Sequence, residues 1–457
     1  MQPTIEELLA IIKKQQMMID ELQVKVARLE QELSYYRKGK NSNNSHIPPS
    51  KDENRPLRNQ SLREKSGKKP GGQPGHEGKT LEFSSIVDKV VMHIPAFCNC
   101  CGEDLSSTVE MLTGKRQVVD IPPIQLERTE HQVFSKVCSC GHKTQGQFPI
   151  NVNSTVQYGS NVEALIAYMH TRQYLPFNRM KEFFSDVMGL PVSEGGVHHI
   201  LQRFAQKAVP VYAQIKERIE QAAFLGTDET GAKVNGKKHW FWTWQNDKLT
   251  FIVHSNNRGF TTIENTFEKG LPNAVLQHDR WASHFQCIAK YHQICIAHLL
   301  RDLKYIEDLH QSDWAKQFKE VLRQAIKLKK EITPWQYLHE NIKRDALQKK
   351  LNELLKTPLP EKHKKAKTFQ KNLSKYQKYI LYFLYHHEVL PDNNGSERAI
   401  RNIKVKQKIS GQFKSIAGAD CFAVIRSVID TTIKSGQNVL DALSLIAKFS
   451  AKVYPTE

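Results

Sequence analysis

Apolar residues over the first forty positions recur at alternating steps of three and four. Ile5, Leu8, Ile12, Ile19, Leu22, Val26, Leu29, Leu33 and Tyr36 lie on this seam, and Gln15 is its polar member. Such spacing predicts a coiled coil over 1–40, with Gln15 setting register or partner number. A single apolar stripe has little to bury against except a copy of itself, so the segment predicts a homodimer; the other reading folds the helix back on its own domain. The pattern stops at residues 41–84. Asn41 to Ser45, Pro48-Pro49 and Lys68 to Gly75 leave little to bury and predict a flexible basic linker, laid along phosphates or simply solvated.

Periodicity returns as helix over 155–215. Val162 to Met169 and Asn178 to Val187 read as two helices, and Ser193 can cap a third that runs to about Lys207. The turn Gly189-Leu190-Pro191-Val192 between them gives a helix-turn-helix pattern, which any helical hairpin shares. Alternation then takes over. Ala223 to Asp228 predicts a strand closed by Asp228, and Asn235-Gly236 a tight hairpin. Trp240, Trp242 and Trp244 alternate on a second strand, and Leu249 to His254 makes a third. Ala274 to Asp279 and Gln293 to Ile296 make two more. Residues 299 to 390 read as helices, with a lysine-rich stretch at Lys362 to Lys378, and a last helical section from Gly395 to Val453 breaks near Ser410-Gly411. The fold class is therefore α/β with a helical insertion of about 300–390, in a core placed at 220–430 before a C-terminal helical segment at 431–457.

Composition changes this picture in two ways. Lys and Arg outnumber Asp and Glu by 66 to 47, a formal charge of +19. That surplus favours a polyanionic partner, double-stranded DNA first, over simple solubility. Five of the eight Cys fall between Cys98 and Cys140. Residues 85–150 are too few to be firm unaided, and a structural Zn²⁺ would staple them. Cys98 and Cys101 have one knuckle's spacing; Cys138 and Cys140 would supply the rest, with His142 as the alternative to Cys140, and unliganded thiols are the other reading. Gln117 to Ile121 between them read as a short strand. No apolar run is long enough to span a bilayer, and the polar N-terminus with Glu6 and Glu7 does not read as a signal peptide, so the expected location is the cytoplasm, against the nucleoid.

Asp228 and Asp279 sit where strands are expected to end, and Glu397 opens a helix in Asp392-Asn393-Asn394-Gly395-Ser396-Glu397-Arg398. Acids gathered by a sheet and a helix repel unless a cation lies among them, and Mg²⁺ prefers such hard oxygens. Two ions about 4 Å apart can serve an in-line phosphoryl displacement. Each acid also has a plainer reading: Glu397 could complete a capping box with Asn394, Asp279 could be a turn acid, and Glu229 could stand in for Asp228. Alternation puts Asp228 and Glu229 on opposite faces, so one of them at most joins a given site.

Over nearly its full length the chain resembles transposases of the insertion sequence 66 family. Gly71-Gly72-Gln73-Pro74-Gly75-His76, Thr227-Asp228-Glu229-Thr230, His278-Asp279-Arg280-Trp281-Ala282 and Cys295 to Arg301 carry the likeness. Asp392 to Arg401 is its most specific part, while the surroundings of Asp279 and the tight Cys138/Cys140 spacing depart from the pattern. The resemblance implies an RNase H-like core and a catalytic triad of Asp228, Asp279 and Glu397. The triad would bind two Mg²⁺ or Mn²⁺ ions, with Asp228 common to both. It further implies cleavage at the element's terminal repeats and joining to target DNA. Ser193, His198, Arg203, His298, Arg301, Arg398 and Arg401 are the DNA-binding candidates, and accessory proteins of the same element are candidate partners. A DNA-binding regulator or a nuclease on the same scaffold, without strand transfer, is the alternative.

Overall fold

The computed structural model describes residues 5–37, 75, 77–78 and 80–450. Most of the expected linker, with the Gly71 to His76 motif apart from Gly75, lies outside the described residues. The chain divides into two compact units, Arg58–Glu127 and the pair of segments Met1–Leu57 and Arg128–Glu457.

The expected N-terminal helix is present as α1 (Ile5–Arg37), and its seam residues Ile12, Ile19, Leu22, Val26 and Leu29 are exposed. In the smaller unit, Gln117 to Ile121 do not form a strand; Val118 and Ile121 are exposed, and the Gln117 side chain exchanges hydrogen bonds with the Ser84 backbone instead. A small hairpin, β1 (Ser135–Val137) with β2 (Lys143–Gln145), frames Cys138 to His142.

Three helices follow. They are α2 (Ser160–Ala167), which widens into a π-helical turn at Tyr168–Arg172, α3 (Phe177–Met188) and α4 (Glu194–Glu220). Gly189 ends α3 in the left-handed region at φ 61°, and Ser193 caps α4 by accepting the Gly196 N–H at 3.0 Å. The third helix runs well past the expected Lys207 and carries Pro210 inside it. Its apolar stripe continues to Ile215 and Ile219, and that burial outweighs the missing proline donor.

The central sheet comprises β3 (Phe224–Val234), β4 (Lys237–Gln245), β5 (Thr250–Ser255), β6 (Leu271–His278) and β7 (Ala289–Ile294). α5 (Phe260–Thr266) and α6 (Ala282–Gln286) lie in the connections. The strand order is β5-β4-β3-β6-β7: the first three strands form an antiparallel meander, and β6 and β7 add in parallel to β3. Asn235 and Gly236 turn the β3–β4 hairpin with φ of 46° and 77°, as the expected tight turn requires. One expectation fails here. Asp228 does not close its strand, because β3 continues through it to Val234, stabilised by register with β4 down to Lys237.

Both faces of the sheet are covered, so β4 is buried well beyond its alternating tryptophans. Trp242 and Trp244 stack, ring centroids 6.0 Å apart, and pack with Leu225, Leu276 and α2 to α4 on one face. Phe241, Ala232, Val234 and Ile252 point to the other, beneath α11 (Asn394–Ser410) and α12 (Ile416–Lys434). Between β7 and α11 come α7 (Ile296–His310), α8 (Asp313–Glu331), α9 (Ile342–Lys356) and α10 (Lys364–Lys375). They build a second apolar cluster around Leu299, Leu303, Phe318, Leu322, Leu351 and Leu373, as a helical insertion should. α13 (Val439–Ala447) closes the chain against α2.

Candidate functional site

Strand alternation settles which acids share a face. Leu225 packs on the tryptophan side, so Gly226 and Asp228 face α11 and Glu229 faces the tryptophans. The last β3–β6 pair is Gly226 with Gln277, and two residues further on stand Asp228, within β3, and Asp279, just past the end of β6. Two acids are thus brought to one end of the sheet by parallel register.

α11 delivers the third. A Cβ on Gly226 would meet Asn393 Oδ1 at 2.5 Å, Gln245 Nε2 at 2.7 Å and Ser396 Oγ at 2.8 Å. One on Gly395 would meet Gln245 Nε2 at 2.5 Å. These two glycines therefore let the N-terminus of α11 lie directly on β3 and β4. Asn393 fixes it there, its Nδ2 donating to the Thr227 carbonyl at 2.7 Å and its backbone N–H to Cys295 Sγ at 3.3 Å. Glu397, one turn into α11, then lies close enough to Asp228 to act on its charge. The capping-box reading of Glu397 is not what forms: its Oε1 accepts Arg301 Nη2 at 2.8 Å and lies 3.8 Å from His298 Nε2.

Asp228 is buried and accepts the Glu229 backbone N–H at 2.8 Å. Among the described residues no Lys, Arg or His pairs with it. Burial, then the charges of Asp279, Glu229 and Glu397, push its carboxyl well above the usual range. The Asp279 turn is tightly held: Oδ1 accepts the Trp281 N–H at 2.9 Å, and Arg280 sits at φ 78°, paired through its guanidinium with Asp302. Among the described residues no three His, Cys, Asp or Glu side chains are gathered closely enough to hold a metal ion. The donor chemistry nonetheless fits a hard divalent cation, since hard carboxylate oxygens face uncompensated negative charge; Glu397 would have to turn from Arg301 to join them.

The other candidates divide. Arg398 and Arg401 are exposed on α11, and Lys364, Lys365, Lys371 and Lys375 are exposed on α10. Arg203 is committed to the buried Glu163, which also takes Lys207 at 2.8 Å. The Ser193 hydroxyl is engaged as a cap, His198 is half-buried beside Phe177 and His199, and His298 is buried.

Sequence reasoning missed a cluster on the opposite face. Glu229 receives His284 Nε2 at 3.0 Å and Arg258 Nε at 2.9 Å. Burial alone would raise its carboxyl, but hydrogen bonds and charge from His284 and Arg258 outweigh burial and hold it below the usual range. The signal available was the doubled acid Asp228-Glu229 followed by an unassigned His five positions past Asp279.

The two cysteine segments are described separately. In the first, Gly102 donates to the Cys98 carbonyl at 2.9 Å; in the second, Gly141 donates to that of Cys138 at 2.8 Å, and Gly102 and Gly141 are left-handed. Cys98 is held below the ordinary thiol range by the backbone N–H groups of Cys101 and Cys100, and Cys138 by that of Cys140. Turns that favour thiolate are what a zinc ligand needs.

Residues 155–421, more than half of the chain, match the family described as Transposase IS66 family. The chain belongs to the IS66 transposase family. Residues 95–141 match the zinc-finger binding domain of transposase IS66, a span that includes Cys98, Cys101, Cys138 and Cys140 and ends before His142. Residues 1–82 match a family of unknown function. No curated protein matched the chain. Among the described residues no helix is long and apolar enough to cross a membrane.

Proposed function

We propose that this IS66 transposase cuts DNA at the ends of its element and joins them to target DNA, using Asp228, Asp279 and Glu397. The observation that supports this reading is that Asp228 is buried, with no Lys, Arg or His paired to it among the described residues, and that Asp279, Glu229 and Glu397 are near enough to raise its carboxyl. Divalent ions held by these side chains, Mg²⁺ or Mn²⁺, would activate the attacking oxygen and neutralise the leaving one. A water oxygen attacks phosphorus as the bond to the 3′ oxygen breaks, freeing a 3′ hydroxyl; that hydroxyl next attacks a target phosphorus as the target strand's own bond from phosphorus to its 3′ oxygen breaks, so the element's 3′ end is joined and a target 3′ hydroxyl is released. The meander with two parallel strands added beside β3 supports an RNase H-like core.

Around that core, Arg301 and His298 hold Glu397 before DNA arrives, and Arg398 and Arg401 on the same helix grip phosphates. The α3–turn–α4 pair and a Zn²⁺-stapled cysteine unit, ligated by Cys98, Cys101, Cys138 and Cys140, recognise the ends. Exposed seam residues on α1 pair two copies as a coiled coil so that both ends are held together.

The test is incubation of the purified full chain with labelled element-end DNA and Mg²⁺ or Mn²⁺. Nicked ends followed by joined products are expected. Nicks without joined products would make the protein a nuclease, and end binding without nicks a regulator.

A further inference from the structure

The Asp279 turn does not stand alone: two residues that follow it, Trp281 and His284, lead back to one buried carboxylate. The Glu229 side chain is 1% exposed. On one side it receives His284, whose side chain is fully buried and whose Nε2 also lies 4.0 Å from Asp279 Oδ1. The imidazole is wedged edge-on against Trp242 at 5.5 Å and lies 5.1 Å from the His278 ring, so it has little room to swing away. On the other side Glu229 takes Arg258, with Nη2 at 2.8 Å. The Arg258 guanidinium lies 3.8 Å over the Trp281 ring and 4.7 Å over Trp240, and Trp281 Nε1 reaches the Arg258 carbonyl at 3.4 Å. Trp281 and His284 both follow Asp279 closely in the chain. Between Asp279 and Trp281, Arg280 sits in a left-handed conformation that a non-glycine residue keeps only when its surroundings hold it there.

We propose that Glu229 is a positioning residue: through His284 and the Arg258–Trp281 stack it fixes the Asp279 carboxylate for cation binding. The inference rests on the reading of Asp279 as a cation ligand. Buried groups behind a ligand set its orientation and basicity, and their loss weakens cation binding without removing a ligand. Asp279 follows β6 instead of lying within it, so the sheet alone does not fix its side chain; Asp228, inside β3, has that support from the ladder itself.

The experiment is Mn²⁺ titration of the zinc-loaded full chain, with free Mn²⁺ followed by electron paramagnetic resonance. Thermal unfolding and end-DNA binding are measured on the same samples. Wild-type Mn²⁺ binding that D228N removes marks the carboxylate site. E229Q and H284A are expected to weaken that binding by about tenfold or more. H284Q, whose amide N–H reaches Glu229, stays near wild type, and unfolding and DNA binding barely change. Wild-type affinity in folded E229Q and H284A overturns the proposal, as does an H284Q as weak as H284A. If E229Q fails to fold, the two His284 variants decide by themselves. Absence of any D228N-sensitive Mn²⁺ binding in the wild type instead overturns the carboxylate site itself, and the brace with it.

Discussion

Asp228 and Glu229 are adjacent on one strand, carry the same charge and are almost equally buried, at 9% and 7% exposure. Their surroundings drive them in opposite directions. Glu229 meets a His and an Arg, and its carboxyl falls below the ordinary range. Burial, then the charges of Asp279, Glu229 and Glu397, raise the Asp228 carboxyl well above it. Folding builds one acid into a satisfied network and leaves its neighbour buried among like charges.

The largest effect expected from this contrast is on catalysis. D228N should lower metal-dependent end cleavage by roughly a thousandfold or more, because several kcal/mol of transition-state stabilisation is at stake at a factor of ten per 1.4 kcal/mol. Gel-shift affinity for the same ends should change little. Full strand transfer by D228N would erase the distinction between the two acids.

A smaller effect is expected where α11 is seated. G226A puts a methyl against Asn393, Gln245 and Ser396, all closer than 3.0 Å. Chemical denaturation should show a loss of about 1–3 kcal/mol. Cleavage should fall too, since the displaced helix carries Glu397. Unchanged stability would mean that α11 does not sit on β3 as described.

The subtlest expectation is a gain. In metal-free protein at neutral pH, D228N should raise the melting temperature by a few degrees, because a buried charge among like charges is removed. The sign follows from the raised folded-state carboxyl. Because the folded state holds the Asp228 proton more tightly than the unfolded chain, stability is lost as pH climbs from the unfolded-state value of about 3.9 towards the raised folded-state value, and nothing is lost below it, where both states are protonated. The gain should therefore vanish in acid. A D228N protein less stable than wild type at pH 7 without metal would contradict the uncompensated charge.

Much of this was legible in the chain. The seam of α1, the Asn235-Gly236 hairpin and the break at Gly411 follow from periodicity and turn chemistry, which act over a few residues. Asp392 to Arg401 marked Glu397 at a helix start because the Asn/Gly/Ser run has no place in a strand. Local rules misplaced the end of β3, since Asp228 looked like a terminator where pairing with β4 carries the strand on to Val234. They also invented a strand at Gln117 to Ile121, where no strand forms and Val118, Val119 and Ile121 stay exposed.

Residue order alone determined most of the helices and the β3–β4 turn, the basic charge, the cysteine spacing and the fact that Asp228 and Glu229 must face apart, because strand geometry allows nothing else. Which of the two would be neutralised was settled only in three dimensions. That outcome depends on His284 and Arg258 reaching Glu229, while parallel register and a helix seated on two glycines bring Asp279 and Glu397 near Asp228. Electrostatic fate depends on distance through space, and separation along the chain does not contain it.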